Sequence, residues 1–290
     1  MKLDPRGVFL TFNLKWKIEK YIHEIGLNAN YPQYVTTSLY HKGLKMSNPE
    51  FLYKFYAPEN YNFESLENPY LYFGDPSDFN DTFDCVISEN SYIEKFLDNK
   101  YLENIGICNF SIEKTNQMWA YYAEKNKGFA VKFKNNKLFL PYGDNIAIKS
   151  HVLYLNNDIP DHPNLIETLK SLEDKHAPDP VKGWQHQVLF HHDLCRKNTS
   201  YTWESEYRFI TFNREEIKRQ MTLNPTTIDS IYIGHKMSKD NLERLKSIVI
   251  NFSHVKVFLS VPNPKSQKLE DIKIKDLNRL VYDQNRIKLI

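Results

Sequence analysis

The stretch "YTWESEYRFITF" at 201–212 reads as a buried strand by its hydrophobic positions, yet opens with two carboxylates and an arginine. Read at a strand's period of two, Glu204, Glu206 and Arg208 share one face with Ile210 and Phe212, and Trp203, Ser205, Tyr207, Phe209 and Thr211 share the other. The far end is apolar on both faces, as in a central strand. The charges therefore fall at one end of a strand whose other end is buried. Such an end opens into a cleft or emerges into water.

The same period places strands at "EFLYKFYAP" (50–58, stopped by Pro58), "YLYF" (70–73), "NIGICNFSI" (104–112), "FAVKFK" (129–134), "SHVLYL" (150–155), "SIYIG" (230–234) and "VKVFLSV" (255–261). Apolar positions three and four apart predict helices at 11–26, 91–100, 115–128, 183–198, 213–220 and 238–251. In the third of these, Thr115 suits the N-cap and Gly128 the C-cap. Residues 156–182, with four prolines around a short helical run, read as an excursion. Strands and helices interleave without a regular βαβ rhythm. The fold class expected is α+β: a mixed, largely antiparallel sheet core with flanking helices and a helical N-terminal extension. The division expected is an extension over 1–50, a core over 51–262 and a charged tail over 263–290.

Composition narrows the picture. At 290 residues with 41% hydrophobic positions, 19 Tyr and 18 Phe, the chain can bury a sizeable core. A net charge of +2 creates no demand for a nucleic-acid or membrane partner, and leaves weak nucleic-acid contact open. Three cysteines without a C-x-x-C pair argue against a disulfide framework or a cysteine zinc site and suit a reducing compartment. The first twenty residues lack a signal-type apolar run. No segment approaches the about 20 apolar residues of a membrane span. A soluble cytoplasmic protein is expected.

Three segments in order resemble one family. "LYKFY" followed by "FESLENPYLYFGDPSDFNDTFD", then "MWAYYAEKNKGFAVKF", then "WESEYRFI" are similar to the signatures of the bacterial family catalogued as domain of unknown function 2971. The likeness spans roughly 50–235. Three positions depart from it: Tyr56 stands where the family has arginine, Thr82 where it has proline and Asn126 where it has histidine.

Glu204-Ser205-Glu206 is in turn similar to the E-x-E of ADP-ribosyltransferases. That likeness implies NAD as substrate and a macromolecular acceptor, protein or nucleic acid. It implies Glu206 as the carboxylate that stabilises the ribose cation and Glu204 as the group that orients or deprotonates the acceptor. A fixed carboxylate beside a ribose that becomes positive favours the transition state over the ground state. Lys54 would contact NAD, with Tyr56 beside it on the same strand, and Trp119 or Tyr122 would stack on nicotinamide. Asn80, in the loop "PSDFNDTFDC", would bond a ribose or amide, and Arg208 would fix a glutamate rotamer. A bacterial enzyme of this kind implies a toxin or anti-phage effector, with an antitoxin or inhibitor as a further partner.

Each assignment has a plainer counterpart. The glutamates and Arg208 make a solvated strand end equally well, and exposed ion pairs contribute only about 0–1 kcal/mol. The Asp/Asn-rich loop is a self-bonded Asx turn anchored by Phe79 and Phe83. Trp119 and Tyr122, three apart on a helix, are core by default. His186, His191 and His192 lack the spacing of three or four that puts two imidazoles on one helix face, so no metal site is expected. Two other functions remain open: a nuclease-type toxin with Asp81, Asp84 and Glu206 on Mg²⁺, and a non-catalytic partner-binding module.

Overall fold

The computed structural model describes residues 49–79, 105–138, 146–155, 194–212 and 219–290. The expected N-terminal extension, Asn80, Asp81, Asp84, the three helical histidines and most of the helices expected at 91–100, 183–198 and 213–220 lie outside the described residues.

Among the described residues, eight strands form one sheet in the order β12-β11-β10-β4-β1-β3-β8-β5. They are β1 (Phe51–Tyr56), β3 (Ile105–Ser111), β4 (Phe129–Lys134), β5 (Ile146–His151), β8 (Glu206–Phe212), β10 (Ile228–Gly234), β11 (Lys256–Asn263) and β12 (Lys268–Ile274). Every neighbouring pair is antiparallel except β10 and β11, which run parallel. That parallel pair needs a crossover, and helix α3 (Lys239–Val249) supplies it. The α+β class with a mixed, largely antiparallel sheet is therefore what the chain adopts. Three two-stranded ribbons border it: β2 (Tyr70–Tyr72) with β9 (Gln220–Thr222), β6 (Leu153–Leu155) with β7 (Arg196–Asn198), and β13 (Leu280–Asp283) with β14 (Arg286–Leu289).

The two faces of the sheet are covered differently. One face carries Leu52 and Tyr56 of β1, Phe129, Val131 and Phe133 of β4, and Tyr207 and Phe209 of β8 in the main core. Helix α1 (Asn60–Glu67) adds Phe63 and Leu66, and α3 adds Leu242, Leu245, Ile248 and Val249. These four α3 positions follow the i, i+3, i+4 spacing of an amphipathic helix, and Ser238 caps it by accepting the Asn241 N–H. Burying side chains of this size contributes about 1.5–3 kcal/mol each. The other face carries a smaller cluster, in which Phe55 and Ala130 meet Met118 and Trp119 of α2 (Asn116–Tyr121).

Three expectations are corrected. Residues 263–290 are no tail: β12 forms one edge of the sheet, and Ile274, Leu280 and Ile287 sit in the main core. These buried residues stand six and seven positions apart, one on each of β12, β13 and β14, among charged neighbours. The helix expected over 115–128 stops at Tyr121. Thr115 does cap it, accepting the Met118 N–H, but Glu124, Lys125 and Asn126 take left-handed φ angles of 45°, 57° and 69°, which end the helix in turns. Gly128 immediately precedes β4 rather than capping that helix. A Cβ there would lie 1.9 Å from the Tyr56 carbonyl oxygen, so the turn's close approach to β1 requires glycine.

Candidate functional site

The stretch "YTWESEYRFITF" is not one strand. Thr199–Glu204 forms a 3-10 turn, started by Asn198, whose side chain accepts the Ser200 N–H. Ser205 follows in the left-handed region at φ 44°, and β8 begins at Glu206. Glu204 is therefore aimed by a turn and not by strand alternation. The two carboxylates still meet. Lys197 of β7 donates to Glu204 Oε2 at 2.6 Å and lies 3.0 Å from Glu206 Oε2.

The remaining partners close the cluster. Arg208 Nε donates to Glu206 Oε1 at 2.8 Å and its Nη2 to Oε2 at 3.1 Å, a bidentate pair. Arg208 Nη1 donates to the Leu194 carbonyl at 2.5 Å. The Glu206 N–H donates to the Tyr154 hydroxyl at 2.8 Å. The Tyr122 hydroxyl donates to Glu204 Oε1 at 2.5 Å, and Ser111 donates to the Glu204 carbonyl at 2.5 Å. Arg208 is fully buried, and Glu204, Glu206 and Lys197 are buried with it. Among the described residues, two carboxylates and two cations share this volume, each charge facing an opposite one.

The electrostatics separate the two glutamates. Burial alone would push the Glu206 carboxyl up, but the charges of Arg208 and Lys197, with their hydrogen bonds, hold it down at about 2. Glu204 moves the other way. Burial raises its pKa, and Lys197 and the Tyr122 hydroxyl only partly offset that. Burial and the nearby Glu204 charge also raise the Tyr122 hydroxyl, so it stays a protonated donor at neutral pH. Two neighbouring carboxyls driven apart in this way are the usual mark of divided acid and base roles. Glu206 is held as the anion by its two cations, whereas burial disfavours the ionised form of Glu204.

An aromatic rim lies outside the carboxylates. Tyr121 is 73% exposed and Tyr122 42%. The half-buried Trp203 ring is 5.2 Å from Tyr121 and 6.3 Å from Tyr122. Lys197 Nζ sits 5.4 Å from the Tyr201 ring.

Of the residues singled out in the sequence, Glu204, Glu206, Arg208 and Tyr122 come together. The others described do not. Trp119 is 1% exposed and packs edge-on against Phe55 at 5.3 Å, so it is core and cannot stack on a ligand. Lys54 and Tyr56 alternate with Tyr53 along β1 and face the main core, whereas Tyr53 pairs through Ser111 with Glu206 on the opposite face. Lys54 donates to the Asn109 carbonyl at 3.0 Å. Tyr56 stacks on Phe129 at 5.1 Å. A sheet thus separates these two from the glutamates. Glu206 also has both oxygens engaged by cations, which leaves it poorly suited to ligate Mg²⁺, and no cluster able to hold a metal occurs among the described residues. Lys197 and Tyr154, with Ser111 and the rim rings Tyr121 and Trp203, are site members that sequence reasoning missed. The signal available was faint: a lysine seven residues before Glu204, on a ribbon whose pairing no local pattern announces.

Residues 118–209 match the model of the family described as protein of unknown function (DUF2971). This match covers the "MWAYYAEKNKGFAVKF" segment and "WESEYRF" of the third, and so supports the family resemblance where the glutamates and Tyr122 reside. No curated protein and no solved structure matches the chain. No described helix is long and apolar enough to cross a membrane.

Proposed function

We propose that the chain is a glycosyl-transfer enzyme of the ADP-ribosyltransferase type, taking NAD as donor and a macromolecule as acceptor. The observation that carries the reading is the convergence of Glu204 and Glu206 on one ammonium, at 2.6 and 3.0 Å, beneath an exposed aromatic rim. In this reading Glu204 is the reacting carboxylate. The bond between ribose C1′ and the nicotinamide nitrogen breaks, and its electron pair leaves with neutral nicotinamide. The acceptor's nucleophile bonds C1′, and its proton passes to Glu204, whose raised pKa suits a general base. Glu206 does not contact ribose. It holds Lys197 and Arg208, and Lys197 positions Glu204. Of the two residues expected to stack, Tyr122 keeps that role, and Trp203 joins it in place of Trp119. Glu204 is only 3% exposed, so Tyr122 must swing aside to admit substrate.

A second reading, a non-catalytic partner-binding module, draws on a specific observation: Glu206 and Arg208 are buried and mutually neutralised, as in a structural cluster. Incubation of folded protein with labelled NAD and cell lysate separates the two. The transferase reading expects nicotinamide release and label transfer by wild type and neither by Glu204→Gln. Wild-type silence, or full activity in Glu204→Gln, overturns it and favours the binding module.

A further inference from the structure

The face of the sheet opposite the main core bears lysines interleaved with aromatic rings. Strand alternation places Phe51 and Tyr53 of β1, Lys132 and Lys134 of β4, Tyr232 of β10, Lys256 and Phe258 of β11 and Lys273 of β12 on this side. Lys114 reaches over from the segment before α2. Its ammonium is 3.5 Å from the Tyr232 ring centroid and 5.7 Å from that of Tyr53. Lys132 is 3.6 Å from the Phe51 centroid and 5.9 Å from that of Tyr53. Tyr232 and Phe258 stack at 4.9 Å and 12°. Phe51, Tyr53 and Phe258 are half-buried, Lys134 is partly exposed, and the Lys256 side chain is 54% exposed.

The charges are not balanced. Among the described residues, two aspartates of the same face stand against these five lysines. Asp271 pairs with Lys114, and Asp229 lies 3.8 Å from Lys132 and 3.6 Å from Lys256. Asp229 also accepts the Ser230 hydroxyl. Burial would raise its pKa, and that hydrogen bond together with Lys256, Lys132 and Lys134 lowers it. The local excess of lysine is therefore felt at the centre of the face. The chain's small overall net charge conceals this patch.

The sheet registers draw one row across the strands. Lys256 pairs with Ser230, Ser230 with Lys132, Lys132 with Tyr53, Tyr53 with Ser111 and Ser111 with Glu206. At about 4.8 Å per strand, Lys132 lies roughly 14 Å from Glu206 along this row.

We propose that this face holds single-stranded nucleic acid, with the phosphates against Lys132, Lys134, Lys256 and Lys273 and bases against Tyr53, Phe51 and Phe258. Lysines that track a backbone beside rings that offer stacking surface are what sequence-tolerant strand binding requires. An acidic protein would use the lysines and leave the rings without a role. The row leads a bound strand toward Glu204, so nucleic acid is the acceptor class. That last step rests on the transferase reading; the binding itself does not.

The test is fluorescence anisotropy of the full chain with a labelled oligothymidine of about 16 nucleotides, without NAD, over a salt series. Wild type is expected to bind, with log K falling against log salt at a slope near −3, as for about four neutralised phosphates at roughly 0.7 each. Lys132→Gln with Lys256→Gln is expected to flatten the slope by about 1.4. Tyr53→Leu is expected to weaken binding about tenfold at unchanged slope. Lys134→Gln with Lys273→Gln removes two lysines that touch no ring here, and keeps the test valid where the first pair fails to fold. Absence of wild-type binding at low salt overturns the proposal. So does binding that neither double variant changes, or equal competition by a polyglutamate of matched charge. Nicotinamide release with no oligonucleotide binding would overturn this proposal alone and leave the transferase reading standing.

Discussion

Replacing Glu206 with glutamine removes one charge from a buried group of four and keeps the side chain's shape. Two routes give the cost. In the first, the carboxyl's pKa falls from 4.5 to about 2 on folding, and a drop of that size corresponds to about 3 kcal/mol of stability at neutral pH. In the second, removing one partner of a buried ion pair strands the others, at about 3–5 kcal/mol. The routes agree near 3 kcal/mol. They also fix the pH dependence. The folded pKa is depressed, so this contribution is complete above about 4.5 and is lost as pH falls toward 2. Glu204 carries the opposite sign. Its folded pKa is raised, so its ionised form costs stability at neutral pH, and that cost disappears as pH falls through its folded value toward 4.5. The assay is urea unfolding of wild type and Glu206→Gln across pH 7 to 3. The expected gap is about 3 kcal/mol at pH 7, narrowing below 4.5. A gap under about 1 kcal/mol at pH 7, or one that stays constant down to pH 3, would refute the reasoning, because the carboxylate's charge would then not be what Arg208 and Lys197 hold.

Tyr122→Phe removes a donor to Glu204, so the acid limb of the kcat/KM profile should move to higher pH, with about 1 kcal/mol lost in unfolding; an unmoved limb excludes Glu204 as the titrating group. Trp119→Ala should cost about 3–5 kcal/mol by chemical denaturation, as a core truncation does, and a cost below about 1 kcal/mol would contradict its burial. Gly128→Ala places a Cβ 1.9 Å from a backbone oxygen and should lower stability by at least about 2 kcal/mol by the same assay. Deletion of 263–290 should leave a chain without a cooperative thermal transition, since it takes away an edge strand and three core side chains; a cooperative truncated chain would restore the tail reading.

The strands that hold the sheet were readable because their patterns are local. "FAVKFK" alternates, and its six residues are β4; Leu242, Leu245, Ile248 and Val249 keep helical spacing, and they are the buried stripe of α3. The closing segment was misread for a reason that is also local. In "KLEDIKIKDLNRLVYDQNRIKLI" each apolar residue stands among charges, as suits an edge strand and a hairpin that present one side to water. Composition then signals a solvated tail, whereas one inward residue per few positions suffices to bury Ile274, Leu280 and Ile287. The helix expected to run to Gly128 failed because nothing in "EKNKG" forbids helix; the close approach of that turn to β1 ends it, and this is a tertiary fact.

The glutamate pair was found by a pattern that does not describe it. Period-two reasoning put Glu204 and Glu206 on one face of a strand, yet a 3-10 turn and a left-handed Ser205 bring them together. Had the strand begun at residue 201, both carboxylates would project from one face of the sheet. The turn instead gives each its own surroundings. Glu206 stays on the sheet, gripped by Arg208 two residues on, while Glu204 swings to the end of the ribbon that carries Lys197 and under the helix end that carries Tyr122. The same kink therefore produces both the convergence and the opposite pKa shifts. Ser205→Pro tests this directly, because proline's φ near −65° cannot take the left-handed geometry. The variant should lose the Glu204–Lys197 contact, and with it any NAD turnover. The Glu206–Arg208 pair and its pH-dependent contribution should remain, read as a wild-type-like stability loss below pH 4.5. Turnover at the wild-type rate in that variant would show that the kink plays no part in aiming Glu204.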